Sequence, residues 1–346
     1  MAQKIFIHVG AGKTGTSALQ SFFAANRERL AKQGVVFPDT GLVSINKGLQ
    51  HHPLSDQGQY ANPDALRQWR EIGRIDAPVL IVSSEIFHSK IDDAGGMAFF
   101  LTVREALRNK DIRIVFYLRR QVQWLQSAYS QWVKFNLQSR TFSDFVKEYK
   151  KSQLDQIFSF ATVFGTENVI VRPFERAQFE GGTIERDFVA LAGLRWDDDF
   201  ALPEGNSNPR LTMDALELKR MVNQFAETSD ELSVLTRDLL KYSASVSEDS
   251  RTLFHQHEMM DRAGQVRYEQ SLEPRYRRIA KTFLGREDGV LFRDGFCDAK
   301  PAEPRAAGEQ NAAATLDQVV AFVLLQAYRR QRAPENRLRA LEAKAE

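Results

Sequence analysis

The chain has 346 residues, of which 43% are hydrophobic and 27% are charged, a composition typical of a globular protein with a large core. Its formal net charge of +2 supplies no strongly basic field, which argues against bulk binding of nucleic acid. The one cysteine, Cys297, excludes an internal disulfide framework and favours a reducing, cytoplasmic setting.

Five short apolar runs predict strands, and helical patterns separate most of them. Residues 4–9 form a nearly continuous apolar run that ends at Gly10, which is typical of a strand buried on both faces. A helical stripe begins at Thr16, and Gly34 is a stop signal for that helix. Further strands are predicted over residues 35–37, 79–82, 112–118 and 169–171, with helices over residues 98–108 and 122–134. Residues 41–78 are predicted to form loops and short helices.

Alternating strands and helices predict an α/β protein of three layers, with a mostly parallel sheet flanked by helices. Ligands of such sheets bind beyond the carboxyl ends of the strands. We therefore expect the chemistry in the loops that follow Val9, Val82, Leu118 and Val171.

The later part of the chain is predicted to be mostly helical. Residues 1–297 are predicted to form one domain, which includes a helical layer at about residues 205–290. Residues 298–315 are rich in Ala, Pro and Glu and are predicted to be a linker. Residues 316–346 are predicted to carry a C-terminal helix over residues 318–330. Apolar runs such as residues 319–325 are too short to span a membrane, and the run at residues 5–9 does not fit a secretory signal.

Residues 10–17 (GAGKTGTS) follow a strand and open a helix, a context that favours anion binding. Glycines let the backbone curl so that several N–H groups point at one anion, and the helix start adds its dipole. Lys13 adds a compact positive charge for the group that is transferred. The predicted donor contacts of this loop are Gly12, Lys13, Thr14, Gly15, Thr16 and Ser17.

Two nucleotide motifs compete for this loop. The ATP/GTP loop G-x-x-x-x-G-K-[ST] fits only at its end, because its first glycine falls on Ile7. The run Lys13 to Ser17 (KTGTS) instead resembles the 5′-phosphosulfate loop of sulfotransferases that use 3′-phosphoadenosine 5′-phosphosulfate (PAPS).

A second anion site is predicted after the strongest strand. Arg119 ends that strand and Ser127 lies eight residues on, within the next helix. An arginine fork and a hydroxyl suit a phosphate. This spacing resembles the 3′-phosphate motif of the same family, whereas the residue eight positions after the neighbouring Arg120 is Ala128.

The resemblance to PAPS-dependent sulfotransferases, and to their bacterial branch, covers roughly residues 4–200 at the level of motifs. It implies a P-loop-like fold, PAPS as donor, 3′-phosphoadenosine 5′-phosphate (PAP) as product and no metal. It also implies that Arg172 and Phe174 lie near the nucleotide.

A general base is expected on the acceptor side, because sulfuryl transfer removes a proton from a hydroxyl or an amine. Glu85, in the run Ser83 to Glu85 after the third predicted strand, is the first candidate, and this run resembles that of bacterial family members. Its alternative role is to cap the next helix or to pair with a cation. His51, His52 and His88 are further candidates for the base or for substrate contacts, and the six histidines show no metal-ligand spacing.

Two other functions stay open. A kinase or other NTPase using ATP and Mg²⁺ would fit the GKT run, although no clear strand ends in a metal-binding Asp. A non-catalytic nucleotide-binding module would instead act through the C-terminal helix. The acceptor is expected to be a small molecule or a glycan, and homodimerisation is left open.

Overall fold

The computed structural model describes residues 3–45, 48–56, 61–91, 94–149, 153–202, 210–246 and 259–296, together with seven positions between Val319 and Arg330. The predicted linker, Cys297 and most of the predicted C-terminal segment lie outside the described residues. The seven described positions within residues 318–330 are helical.

Seven strands lie in the described part of the chain, and five of them form one parallel sheet in the order β2-β5-β1-β6-β7. All five strands of this sheet are those that the sequence predicts. The strands are β1 (Lys4–His8), β2 (Val35–Val36), β3 (Val43–Ile45), β4 (Gly48–Gln50), β5 (Val79–Ser83), β6 (Asp111–Leu118) and β7 (Val169–Pro173).

The remaining two strands, β3 and β4, pair as an antiparallel hairpin. The hairpin falls in the stretch predicted as loops and short helices, so that prediction missed two strands. Each strand is only three residues long, which is too short for a clear alternation of apolar and polar residues.

Twelve α-helices are described, and those of the first compact unit include helices on both faces of the parallel sheet. They are α1 (Thr16–Ala25), α2 (Arg27–Lys32), α3 (Ala65–Ile72), α4 (Phe87–Lys90), α5 (Ala94–Ala106), α6 (Gln121–Phe135), α7 (Phe142–Glu148), α8 (Gln153–Phe164), α9 (Ile184–Leu191), α10 (Met213–Val222), α11 (Ser233–Ser245) and α12 (Arg262–Leu284). None of the described helices combines the length and the apolar content that crossing a bilayer requires.

Two hydrophobic clusters, one on each face of the sheet, explain the three layers. Successive side chains of a strand point to opposite faces, and β1 accordingly sends Ile5 and Ile7 to one cluster and Phe6 to the other. Helices α3, α5 and α8 add aromatic and aliphatic side chains to the first cluster, and α1 and α9 add theirs to the second. The predicted three-layer α/β fold is confirmed.

The chain divides into two compact units. The first comprises residues 1–124, 150–207 and 266–299 and contains the parallel sheet, and the second comprises residues 125–149, 208–265 and 300–346. In the second unit, the buried amide of Asn223 donates to the carbonyl oxygens of Val133 at 2.9 Å and of Gln138 at 2.8 Å. The end of α6 and the segment that follows it are thereby held to α10.

Candidate functional site

The candidate site lies at the carboxyl edge of the parallel sheet, in the first compact unit. Because β1, β5, β6 and β7 run parallel, the segments after them emerge at the same edge. These segments carry Lys13, Glu85, Arg119 and Phe174, while Arg172 lies near the end of β7.

The loop between β1 and α1 has a tightly curled backbone. Lys13 adopts a φ of 74°, a left-handed conformation that is uncommon for a residue with a side chain and costs about 1–3 kcal/mol. The hydroxyl of buried Thr14 donates to the carbonyl of Ala11 at 2.6 Å and closes the turn. Residues with strained backbone conformations occur most often at functional sites.

Gly15 is required at the start of α1 for two reasons. Its φ is 79°, and a Cβ added there would lie 2.6 Å from Cδ1 of Ile184 and 3.0 Å from Cε2 of Phe174. The loop therefore packs directly on α9 and on the segment after β7. Phe174, which the resemblance places near the nucleotide, contacts the loop at this point.

The outer side of the loop is held by side chains that bind its carbonyl oxygens. The indole Nε1 of Trp124 donates to the carbonyl of Gly12 at 2.7 Å, and a guanidinium nitrogen of Arg119 lies 3.5 Å from the carbonyl oxygen of Lys13. The N–H groups of residues 14–17 donate to no backbone carbonyl of the described residues. Uncommitted N–H groups at the start of a helix form an anion site.

Glu85, two residues after the neighbouring strand β5, lies against this loop. Its Oε2 atom would be 3.4 Å from a Cβ on Gly12. Burial raises the pKa of the Glu85 carboxyl, and the nearby positive charge of Lys13 opposes that rise. The structure thus brings the predicted base and the predicted lysine to the same end of the sheet.

The two adjacent arginines after β6 have different surroundings. Arg119 is half-buried and reaches the loop, and its Nε also lies 3.4 Å from Oε1 of Gln123. Arg120 is buried, forms ion pairs with Asp294 and with Glu269, and lies over the ring of Phe292. Arg120 is therefore committed to ion pairs within the protein, whereas the binding of a ligand by Arg119 stays a prediction from the sequence.

Ser127 lies half-buried on α6, in the part of this helix that belongs to the second compact unit. Its contact with a 3′-phosphate stays a prediction from the sequence motif. Ser17 is exposed in the first turn of α1, and Thr16 beside it is buried.

Arg172 is held by a buried carboxylate that the sequence analysis did not identify. Asp187 is fully buried and accepts two hydrogen bonds from the Arg172 guanidinium, at 3.0 and 2.5 Å. The Tyr117 hydroxyl at 2.7 Å and the Glu180 N–H at 2.8 Å complete its shell. An acidic residue on the apolar side of α9 was the available signal, but its side-chain partners lie on strands β6 and β7.

The candidate histidines contact backbone groups and side chains of the protein. Nδ1 of buried His51 accepts from the Ser83 N–H, and Nε2 lies 3.0 Å from the Pro38 carbonyl, so both ring nitrogens are used. Nδ1 of His52 lies 2.8 Å from the Ser84 hydroxyl. Burial lowers the pKa of each of these two rings to about 4. His88 binds the carbonyl of Glu85, and its substrate role stays a prediction.

Another buried histidine, His8, was overlooked. It ends β1, its ring is fully buried, and its Nδ1 lies 2.9 Å from the Ser83 hydroxyl. A polar residue at the end of the apolar run of β1 was the available signal. Across the described ranges, no three or more His, Cys, Asp or Glu side chains form a group that would hold a metal ion.

Comparisons with known proteins add little beyond this geometry. No protein-family model matches the chain. An uncharacterised protein from Archaeoglobus fulgidus is 27% identical over 225 residues, which make up 63% of this chain and 50% of that protein. The chain thus spans about half the length of the curated relative that it matches.

Two solved sulfotransferases resemble the chain at low TM-scores. One, from Alicyclobacillus acidocaldarius, has a TM-score of 0.37 and 17% sequence identity. The match covers 64% of this chain and 94% of the Alicyclobacillus chain. The other, mouse SULT7A1 complexed with PAP, has a TM-score of 0.34 and 14% sequence identity. The match covers 57% of this chain and 61% of the mouse chain. Both likenesses are too weak to support a functional assignment.

Proposed function

We propose that this protein is a sulfotransferase that moves a sulfuryl group from PAPS to a hydroxyl or amine on a small molecule or glycan. One observation carries the proposal. The guanidinium of Arg119 lies 3.5 Å from the carbonyl oxygen of Lys13, although 106 positions separate the two residues. This proximity of Lys13 and Arg119, which the sequence motifs assign to the two ends of the donor, supports the proposal.

Each end of the donor has a matching group. Lys13 and the N–H groups of residues 14–17 provide positive potential for the 5′-phosphosulfate. Arg119 offers a planar fork for the 3′-phosphate, and the sequence motif adds the hydroxyl of Ser127. Arg172, whose guanidinium is oriented by Asp187, lies one strand away from Arg119 and is proposed to bind the nucleotide.

The proposed reaction is an in-line displacement at sulfur. Glu85 takes the proton of the acceptor hydroxyl or amine as the acceptor atom forms its bond to sulfur. The bond between sulfur and the 5′-phosphate oxygen breaks, and the electron pair leaves on PAP. Lys13 and the loop N–H groups stabilise this developing negative charge. The raised pKa of the Glu85 carboxyl makes it a stronger base than an exposed glutamate, provided that it is ionised.

Binding measurements distinguish this proposal from an NTPase. We expect PAP to bind more tightly than ATP with Mg²⁺ in calorimetric titrations. Tight binding of ATP with Mg²⁺ and none of PAP would favour the kinase alternative. A degenerate, non-catalytic module would bind PAP but would transfer no label from ³⁵S-labelled PAPS to any acceptor in a panel of hydroxylated small molecules and glycans.

Lys13→Ala is expected to lower the rate of transfer about 10²–10³-fold, because it removes one charge from the leaving group. Lys4→Ala is the matched control, since Lys4 is exposed at the start of the same strand β1 and thus at the opposite edge of the sheet. An unchanged rate with Lys13→Ala, measured with labelled PAPS, would refute the role of the loop.

Arg119→Ala is expected to weaken PAP binding about 10–100-fold, the loss typical of one or more hydrogen bonds to a charged group. Arg113→Ala is its control, because Arg113 lies in the same strand β6 but towards its amino end and pairs with Asp111. Binding of adenosine 5′-phosphate, which lacks the 3′-phosphate, should change little with Arg119→Ala. Equal weakening of both nucleotides would contradict a role specific to the 3′-phosphate.

A further inference from the structure

The first turn of α6 begins directly after Arg120, and two of its backbone N–H groups are bound by side chains of α12. The Val122 N–H donates to Oε1 of Glu269 at 2.7 Å, and the Gln121 N–H donates to the Tyr276 hydroxyl oxygen at 3.1 Å. The N–H groups in the first turn of a helix have no partner within the helix. Glu269 and Tyr276 therefore act together as the cap of this helix.

Glu269 accepts from three different groups. Besides the bond from Val122, its Oε2 accepts from the Tyr276 hydroxyl at 2.9 Å and lies 3.5 Å from a guanidinium nitrogen of Arg120. Glu269 is 1% exposed, so water does not compete for these contacts. Burial raises the pKa of the Glu269 carboxyl, and the three donors oppose that rise. A carboxylate is also stabilised at the start of a helix by the helix dipole.

Two contacts with the loop between β1 and α1 come from residues beside this capped helix start. Trp124, in the same turn, donates its indole N–H to the Gly12 carbonyl at 2.7 Å. Arg119 has a guanidinium nitrogen 3.5 Å from the carbonyl oxygen of Lys13. The Trp124 N–H donates to the Arg120 carbonyl at 2.9 Å, which closes the turn. All of these residues, and those of the cap, belong to the first compact unit.

We propose that Glu269 is a positioning residue of the candidate nucleotide site, which fixes the first turn of α6 against the loop at residues 10–17, the phosphate loop. The carboxylate holds the Val122 N–H, and the fixed turn keeps Trp124 and Arg119 beside carbonyl oxygens of the loop. The loop thereby keeps its curled backbone before an anion binds, which lowers the cost of ordering it on binding.

This role of Glu269 rests on the proposed function only for the identity of the anion. The bond from Trp124 to Gly12 is a property of the ligand-free protein. It can be measured whether or not the protein uses PAPS.

Glu269→Gln is the most informative replacement, because it preserves the size of the side chain and removes one acceptor. A carboxylate accepts at both oxygens, whereas an amide accepts at one and donates at its NH₂ group. In either orientation, the NH₂ group faces a donor, namely the Val122 N–H or the donors at Oε2. Glu273→Gln is the matched control, since Glu273 lies one turn further along α12, is exposed and pairs with Arg277 at 3.8 Å.

The first test follows the exchange of indole N–H protons for deuterium in ¹H–¹⁵N spectra without ligand. The Trp124 signal, identified by its loss in Trp124→Phe, should exchange about tenfold faster in Glu269→Gln and stay unchanged in Glu273→Gln. Trp69 is the internal control, because its buried indole donates to the Leu54 carbonyl at 2.9 Å. Unchanged exchange at Trp124 would overturn the proposal, and so would an equal acceleration at Trp69, which would indicate a general loss of stability.

Tyr276→Phe is a second variant, which decides the question if Glu269→Gln does not fold. It removes only the hydroxyl that accepts from the Gln121 N–H and donates to Glu269. Exchange at Trp124 should then be about threefold faster than in wild type, because half of the cap remains. Unchanged exchange in Tyr276→Phe would count against the cap as the element that positions the loop.

The second test is calorimetric titration with PAP. We expect Glu269→Gln to weaken PAP binding about tenfold, and Glu273→Gln to change it at most about twofold because it breaks only an exposed ion pair. In Trp124→Phe, which already lacks the bond to Gly12, the further loss caused by Glu269→Gln should be smaller, since both variants act on the same contact.

In a protein that binds PAP, unchanged affinity in Glu269→Gln or additive losses with Trp124→Phe would overturn the positioning role. If exchange at Trp124 behaves as expected while PAP fails to bind wild type, the proposed function fails and the positioning of the loop by Glu269 stands.

Discussion

Replacing Gly15 by alanine tests how the phosphate loop is shaped. Gly15 has a φ of 79°, and an added Cβ would lie 2.6 Å from Cδ1 of Ile184 and 3.0 Å from Cε2 of Phe174. The left-handed conformation costs a residue with a Cβ about 1–2 kcal/mol, and overpacking costs a further 1–3 kcal/mol or so. We therefore expect Gly15→Ala to lower the free energy of unfolding by about 2–5 kcal/mol.

Gly193→Ala is the matched control that separates these two costs. Gly193 has a φ of 71°, and an added Cβ would meet nothing within 4 Å. Its replacement by alanine should cost only the conformational part, about 1–2 kcal/mol. Unfolding in urea, followed by tryptophan fluorescence, measures both variants under the same conditions.

A second substitution tests the clash itself. Ile184→Val removes the Cδ1 atom that the new methyl group would meet, and by itself costs about 0.5–1.5 kcal/mol. In the double variant with Gly15→Ala, the combined loss should be smaller than the sum of the two single losses, because the methyl gains room. A loss for Gly15→Ala no larger than that for Gly193→Ala, or full additivity with Ile184→Val, would refute the packing of the loop on α9.

Two further predictions concern buried carboxylates. Burial raises the pKa of the Glu85 carboxyl, so the folded state favours the protonated form. The stability that this carboxyl contributes is therefore fully present below the ordinary pKa of glutamate. It is lost as the pH rises through the raised pKa of the folded state. In urea unfolding, the free energy of unfolding of Glu85→Gln relative to that of wild type should therefore rise between pH 4 and pH 8. If the difference between the two proteins is the same at both pH values, the carboxyl is not buried as described. Asp187→Asn should cost about 3–5 kcal/mol, because it leaves the Arg172 guanidinium and the Tyr117 hydroxyl without their carboxylate. Asp197→Asn, at a partly exposed pair, should cost at most about 1 kcal/mol by the same measurement, and equal losses would show that Asp187 is not the centre of this network.

The local chemistry of the sequence was enough to predict the sheet and the loop. Strands that are buried on both faces are continuous apolar runs, and each of the five runs became a strand of the parallel sheet. The placement of Lys13 and Glu85 at one edge followed from parallel strands alone. The hairpin of β3 and β4 was missed because each strand has only three residues.

Contacts between residues far apart in sequence account for what was missed at the site. The bonds of Asp187 to Tyr117 and of His8 to Ser83 span 70 and 75 positions. No local periodicity reports such a partner. Each of these polar side chains is paired because burial makes an unpaired polar group costly, but the identity of its partner depends on which elements the fold brings together.

The amino-acid sequence by itself determined that a curled glycine and lysine loop joins a buried strand to a helix, because backbone freedom and apolar runs are local properties. The spacing to Ser127 favoured Arg119 over Arg120 from the sequence, but only the tertiary structure showed where each of the two guanidinium groups lies. Arg120 is buried against Glu269 and Asp294, more than 140 positions away, whereas Arg119 reaches the carbonyl of Lys13. A buried guanidinium needs carboxylate partners, and the packing of distant segments supplied Glu269 and Asp294 to Arg120.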